Sequence, residues 1–332
     1  MTQVHIQSLK AEARRRVGAF PTDIRMLVLV YCGVLAALSL AGSGLQFYLD
    51  SQISSTGGLG GLGMRSVLQT VESVLSYINT FFGPFWQAGF LFCIIGIVRR
   101  QQTGPKNLTE GFRRFGRVLS YTLNTALITI ILSIGAVYIS SFLFSLSPWG
   151  RDFAEAMGPV MTDPNLFTAE GAINMDLIPM DAMMIAVPAM VVIFALVFTP
   201  MQLFVSYALR LGQYLLMEGK HMTGMAAIML SWKMTKGHRL QFLKLDLSYW
   251  WYYVLLFVAG IVGYLDVILA LAGISVPIDA KVLYFMTMGA YLALELVISL
   301  WKKCEVDAAS VLLCESICHP DTAAEAAPAD PA

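Results

Sequence analysis

The chain consists of long, charge-free apolar blocks separated by short segments that carry most of its charges. A helix rises about 1.5 Å per residue, so roughly 20 apolar residues cross the ~30 Å hydrocarbon core of a bilayer. The block between Arg25 and Asp50 holds 24 uncharged residues. Blocks of this kind predict six transmembrane spans, at about 24–49, 75–98, 118–146, 182–209, 249–273 and 282–301.

Composition supports this interpretation. Apolar residues make up 57% of the 332 residues and charged residues only 13%, whereas soluble domains average about 45–50% and 25%. Lipid offers the backbone no hydrogen-bond partner, so each span is expected to be helical. The predicted fold class is an all-α polytopic transmembrane helix bundle of about six spans. The 22 basic and 22 acidic residues cancel, which gives no basis for nucleic-acid binding.

The basic residues predict an orientation, because loops rich in Lys and Arg stay in the cytoplasm. With six spans, only Arg65, Arg151 and Lys281 lie on the side opposite the termini, and the other 19 basic residues lie on the same side as the termini. We therefore expect a multi-pass cell-membrane protein with cytoplasmic N- and C-termini. The predicted layout is a basic segment at 1–23, a membrane domain at 24–302 with a large acidic outer loop at 147–181, and a cytoplasmic tail at 303–332.

The tail divides into two parts. Its first part, 304–320, is interpreted as a short peripheral helix. From about 320 onward the tail is rich in Ala, Pro and acidic residues, so it buries too little apolar area to order itself. We expect this second part to be disordered.

The basic inner segment 222–253 predicts two helices joined by a turn. Apolar residues recur at helical spacing in its first half, at Met222, Met225, Ala226 and Met229. Gly237 follows at the position that favours a left-handed helix cap. A second helix then places Leu240, Leu243 and Leu247 on one side. We interpret both as amphipathic helices lying in the cytoplasmic membrane interface.

Four cations of this segment form a candidate lipid-binding or partner-binding surface: Lys233, Lys236, Arg239 and Lys244. Each cation near an anionic bilayer surface contributes about 1 kcal/mol. The alternative is that these charges only determine the topology. Membrane lipids are the expected partners, with membrane proteins as the second class.

Two acids lie within predicted spans, and intramembrane carboxylates often mark a transport pathway. Asp266 lies in span five and Glu295 in span six, at depths that differ by roughly 10 Å along the helix axes. They are therefore not expected to share a proton. The alternative roles are structural: Asp266 reaches the outer headgroups, and Glu295 pairs with Lys302 or Lys303.

The sequence contains no catalytic signature such as HExxH, GxSxG or a Walker loop. Cys314, Cys318 and His319 have only a loose helical spacing, without a clear fourth ligand for zinc. We therefore expect no catalytic residues, no metal and no cofactor, and a protein that is not an enzyme.

The segment SWKMTKGHRLQFLKLDLSYWWYY (231–253) resembles a family of bacterial integral membrane proteins known as domain of unknown function 975. The matching positions are Ser231, Lys236, Gly237, Phe242, Leu245, Leu247, Ser248 and Trp250. The leader SLKAEARRRVG is also similar to the basic start of that family. The resemblance implies a bacterial cell-membrane location and supplies no catalytic residues.

Two functional hypotheses follow. The first is a non-enzymatic membrane protein that organises lipid or partner proteins through its basic inner surface. The second is a transporter or channel subunit, in which the intramembrane acids and the proline-containing spans two and four line a pathway.

Overall fold

The computed structural model describes residues 6–20, 24–37, 39–40, 81–101, 103–163, 177, 179–219, 222–271 and 280–319. These segments are helical almost throughout and contain no β-strand. The all-α fold class is therefore confirmed for the described part of the chain.

The α-helices follow one another with few long connections among the described residues. They are α1 (Ile6–Gly18), α2 (Ile24–Ala37), α3 (Phe81–Val98), α4 (Glu110–Arg113), α5 (Phe115–Leu146), α6 (Pro148–Thr162), α7 (Met180–Glu218), α8 (Gly224–Met234), α9 (Arg239–Ser248), α10 (Trp250–Gly263), α11 (Leu265–Leu271), α12 (Ala280–Ile298) and α13 (Cys304–Cys318). A 3₁₀ turn, Pro105–Thr109, precedes α4, and a π-helical turn, Ser299–Lys303, joins α12 to α13.

The chain divides into two compact units. The first unit contains residues 1–122 and 209–332, and the second contains residues 123–208. In the first unit α13 lies at the centre, since nine of its 15 residues are buried and it contacts α1 and α9. The expected helix after residue 303 is therefore present, but it is a buried core helix and not a peripheral one.

Close backbone contacts hold α3 against the segment that follows it. Gly89 of α3 lies so close to the carbonyl oxygen of Leu108 that a Cβ atom would overlap with it, and Gly111 of α4 lies equally close to the carbonyl oxygen of Phe85. Small residues permit such close approach of helices. The Phe85 ring also stacks on Phe115 at 4.9 Å, which fixes the start of α5.

The second unit contains most of α5, the whole of α6 and the first three quarters of α7. Helix α6 begins after Ser147, whose hydroxyl accepts a hydrogen bond from the Gly150 N–H at 3.1 Å. Pro148 occupies the first helical position, where its missing N–H costs nothing. The predicted acidic loop 147–181 thus starts with a helix, and residues 164–176 lie outside the described residues.

Large apolar side chains of α5 and α7 are exposed. Examples are Ile131 and Phe142 on α5 and Met184 and Leu196 on α7, with exposed fractions of 62–74%. A helix with apolar residues on all sides requires either a protein core or lipid around it. These helices have the surface of lipid-facing spans.

Within the described residues, four helical segments are long and apolar enough to cross a membrane: Phe81–Val98, Phe115–Leu146, Met180–Glu218 and Val282–Cys318. Helices α9 and α10 together add a fifth if they are taken as one span bent by 68°. Helix α2 is apolar but shorter, and the rest of predicted span one, beyond residue 40, lies outside the described residues.

Candidate functional site

Glu295 lies half-buried on α12, in the first unit. Its carboxylate accepts a hydrogen bond from Tyr291, one helical turn earlier. It also lies within electrostatic range of Tyr31 and Cys32 on α2 and of Tyr252 on α10. Three aromatic hydroxyls, on α2, α10 and α12, are therefore among the polar groups near it.

The expected ion pair between Glu295 and either Lys302 or Lys303 is not formed. Lys302 pairs with Glu305, and Lys303 pairs with Asp307 at 3.3 Å. Both lysines end the π-helical turn and extend toward α13, because their partners lie one turn further along the chain.

Asp266 lies half-buried in the first turn of α11. The chain breaks at Tyr264 between α10 and α11, so Asp266 follows directly after this break. A carboxylate at this point interacts favourably with the free backbone N–H groups of the new helix.

The second predicted site is the surface of α8 and α9. Its exposed or half-exposed side chains are apolar and basic, and we call them the α8–α9 surface: Met225, Met229, Trp232, Lys233, Lys236, Arg239, Leu240, Lys244 and Leu247. The opposite faces of the two helices are buried, through Ala227 and Ile228 on α8 and Phe242 and Leu245 on α9. The two helices therefore present one mixed face outward.

The turn between α8 and α9 has the predicted conformation. Gly237 adopts a positive φ of 94°, which is the left-handed region. The prediction of a cap at this glycine is confirmed. The Arg239 guanidinium then lies 4.8 Å from the centre of the Trp232 ring, so a cation–π contact joins the two helices across the turn.

A polar network around α13 was not predicted. The buried carboxylate of Glu305 accepts hydrogen bonds from Arg14 on α1 at 2.8 Å, from Lys302, and from the Tyr249 hydroxyl at 3.3 Å. The same contact raises the pKa of Arg14 above its ordinary value, because the carboxylate stabilises the charged guanidinium. Glu305 thus joins α1 and the start of α10 to α13.

Two further arginines connect α13 to other helices of the first unit. Arg99, after α3, donates to Glu315 at 2.8 Å and to the Tyr214 hydroxyl at 2.9 Å, and it pairs with Glu218. Burial alone would lower the pKa of Arg99, but the hydrogen bonds to Glu315 and Glu218 raise it overall. The end of α3 is therefore tied to α13 and to the end of α7 by one guanidinium.

Arg210, near the end of α7, makes the second of these connections. Its Nη1 lies 2.5 Å from Asp246 of α9, and its Nε donates to the Ser310 hydroxyl at 3.1 Å. The Tyr253 hydroxyl donates to the other Asp246 oxygen at 3.1 Å. Asp246 is thereby held on both oxygens.

A cavity of about 230 Å³ lies beside this network, and we call it the α13 cavity. Its lining comes from α2, α3, α7 and the segment from the π-helical turn through α13: Tyr31, Gln87, Phe90, Leu91, Arg210, Gln213, Tyr214, Lys303, Asp307, Ser310, Val311 and Cys314. Neither Asp266 nor Glu295 lines it, and no residue of the α8–α9 surface does. The predicted pathway acids and the predicted lipid-binding surface are therefore separate from this cavity.

Sequence reasoning placed the acids of α13 on a peripheral helix of the cytoplasmic tail and considered Lys303 only as a partner of Glu295, so it missed the ion pairs that these residues form. One signal was present: small and apolar residues at Ala308, Ala309, Leu312 and Leu313 run between the acids, and they form the buried face of α13. Cys314 is buried on the same helix. The described residues contain no group of three or more His, Cys, Asp or Glu arranged to hold a metal ion.

Comparison with known proteins gives one family. The model of the family Protein of unknown function (DUF975) matches residues 33–288, which is more than half of the chain. No curated protein and no solved structure matches the chain. The resemblance first carried by residues 231–253 is thereby confirmed.

Proposed function

The chain belongs to the family Protein of unknown function (DUF975), and from that premise we propose a non-enzymatic, multi-pass protein of the bacterial cell membrane. Its α8–α9 surface lies in the cytoplasmic interface and binds anionic lipid headgroups, so that the protein organises lipid and the membrane proteins around it. Both termini lie in the cytoplasm. Six spans arise when α2 and the segment that begins at α10, the second helix of the bent pair, are added to the four long apolar segments.

The observation that carries the proposal is the mixture of side chains on the α8–α9 surface. Trp232, Leu240 and Leu247 are exposed beside Lys233 and Lys244. A helix in the membrane interface requires this combination, with apolar side chains in the acyl region and cations at the phosphates. On a surface that contacts only water, a cluster of exposed Trp and Leu side chains would be unfavourable.

The test compares two triple variants that remove the same charge from exposed, predicted cytoplasmic positions. In the first, Lys233, Lys236 and Lys244 are replaced by Gln, while Arg239 is kept because it packs on Trp232. In the matched control, Arg25, Lys106 and Arg113 are replaced by Gln; all three are exposed and lie outside the α8–α9 surface.

The quantity measured is phosphatidylglycerol bound per protein after purification in detergent, relative to phosphatidylcholine. Three cations at about 1 kcal/mol each predict a loss of at least tenfold in affinity for the first variant at low salt, and a smaller loss at high salt. The control is expected to stay within twofold of the parent. Equal losses in both variants would show that overall inner charge, and not this surface, retains the lipid.

The transporter hypothesis has less support than the lipid-organising role. It requires an aqueous space that reaches the intramembrane acids, and the α13 cavity touches neither Asp266 nor Glu295. Glu295 instead accepts a hydrogen bond from Tyr291 on its own helix. The organising role is therefore the one we propose.

A further inference from the structure

Helix α6 has two chemically different sides. Its three charged residues, Arg151, Asp152 and Glu155, lie on one side of the helix. Its larger apolar side chains share the other side, which we call the α6 stripe, because they follow the spacing of one helix face: Trp149, Phe153, Met157, Val160 and Met161. Helix α6 is therefore strongly amphipathic.

The α6 stripe is only partly covered by protein. The Phe153 ring lies 6.3 Å from the Phe144 ring near the end of α5, so this part of the stripe contacts the preceding helix. Trp149 and Met161 flank that contact and are 50% and 70% exposed. The flanks of the stripe thus require apolar surroundings that the contact with α5 does not supply.

Helix α6 begins where a membrane span ends. Residues 123–146 of α5 carry no charge, and they rise about 35 Å, slightly more than the ~30 Å hydrocarbon core. Phe142 and Leu146, in the last turns of α5, are exposed. Ser147 then adopts an extended conformation, which ends α5 and starts a new helix axis. If 123–146 cross the bilayer, α6 starts in the headgroup layer.

We propose that α6 lies in the membrane interface at this end of α5, with the α6 stripe at the boundary between acyl chains and headgroups and its charged side in water. Lipid is the occupant because the exposed apolar surface of α5 continues directly into the stripe, and because Trp residues such as Trp149 prefer the headgroup layer. This inference rests on α5 crossing the bilayer. It does not depend on the α8–α9 surface.

The charge of α6 distinguishes it from the α8–α9 surface. Helix α6 carries one basic and two acidic residues, whereas Lys233, Lys236, Arg239 and Lys244 make the α8–α9 surface basic. Attachment of α6 to the membrane therefore comes from its apolar side chains and needs no anionic lipid.

The test places a fluorescent amino acid, dansylalanine, at one position of α6 in the full-length protein, which is reconstituted into phosphatidylcholine nanodiscs. Trp149 and Met161 are the apolar positions, and Arg151 and Glu155 are the matched polar positions. All four side chains are exposed, so the label displaces no buried group. Two quenchers separate the environments: phosphatidylcholine with a nitroxide on its acyl chain, and iodide in the water.

We expect the lipid nitroxide to quench the label at the two apolar positions at least about twofold more than at the two polar positions, and iodide to give the reverse order. Strong iodide quenching at all four positions would place α6 in water. Protection from both quenchers at the apolar positions would mean that protein covers the stripe, and equal lipid quenching at all four would place α6 inside the hydrocarbon. Each of these three results overturns the proposal.

Two exposed residues serve as replacements where a labelled position does not give folded protein. They are Ala154, two turns before Met161, on the apolar side and Thr162 on the polar side. A second measurement replaces part of the phosphatidylcholine by phosphatidylglycerol. Lipid quenching at Met161 is expected to change by less than about twofold, and a larger gain with the anionic lipid would contradict attachment through apolar side chains.

Discussion

At the scale of single residues, the acids differ in how they are neutralised. Glu295 accepts a hydrogen bond from the Tyr291 hydroxyl, whereas Glu305 contacts two cations and the Tyr249 hydroxyl. A buried carboxylate is costly unless its oxygens are paired and hydrogen-bonded. Glu305 meets that condition through a partner 291 positions away in sequence, so its pairing depends on tertiary packing.

We predict that Glu305→Gln destabilises the protein by about 1–3 kcal/mol, since it leaves Lys302 and Arg14 without their carboxylate. This loss of stability is smaller than the roughly 3–5 kcal/mol typical of breaking a fully buried ion pair, because the Arg14 side chain remains 61% exposed. Thermal unfolding in detergent, followed by intrinsic fluorescence, measures the change as a lower midpoint.

The matched control for this change is Glu110→Gln. Glu110 also pairs with an arginine, but that partner, Arg113, is 75% exposed. Solvent screening limits such surface pairs to about 0–1 kcal/mol. A midpoint for Glu305→Gln no lower than that for Glu110→Gln would contradict the central role assigned to Glu305.

The conformation and the contacts of single residues could thus be predicted from the sequence only where neighbouring residues in the chain determine them. Gly237 follows a helical pattern directly, and its positive φ was correctly anticipated. The alternative in which Glu295 pairs with Lys302 or Lys303 was wrong. In sequence, Glu295 and two acids of α13 lie equally within reach of these two lysines. Only the packing of α13 decides between them.

At the scale of helices, periodicity identified α8 and α9 but not which side of each is buried. The Met stripe of α8 lies partly outward, with Met229 60% exposed, while Ala227 and Ile228 face the core. Helix α13 was underestimated for a related reason. It was predicted to be a short peripheral helix, although each of its acids pairs with a cation on the same or another segment.

The packing of α3 gives a prediction at this scale. Gly89→Ala is expected to destabilise the protein by about 1–3 kcal/mol, because a Cβ atom at this position overlaps the Leu108 carbonyl oxygen and the backbones must separate. Gly83 lies on the same helix, and among the described residues no atom outside its own helix backbone lies within 4 Å of the place that an added Cβ atom would take there. Gly83→Ala is therefore expected to be neutral or stabilising by up to about 1 kcal/mol. Unfolding midpoints of the two variants that agree within error would exclude close packing at Gly89.

At the scale of the whole molecule, apolar block lengths predicted the helical class and the segment 231–253 predicted the family, and both are confirmed. The number of spans is harder to derive, because length and hydropathy do not reveal a bend. Helices α9 and α10 meet at 68°, so the apolar residues of this stretch do not form one straight span. The proposed six-span arrangement assigns α9 to the interface and begins span five at α10.

The parity of the span count makes this arrangement testable through the location of the termini. If α10 and α11 cross the membrane, six spans place both ends in the cytoplasm, in agreement with the 19 basic residues predicted on that side. Alkaline phosphatase is active only outside the cytoplasm, so fusions after residue 332 and within 99–117 are expected to be inactive, and a fusion within 164–176 active. A fluorescent protein that folds only in the cytoplasm should give the opposite pattern, including fluorescence at the N-terminus. Termini on opposite faces would mean an odd number of spans, and the segment from α10 to α11 would then be the first candidate for a re-entrant segment, because α10 belongs to the bent pair α9–α10.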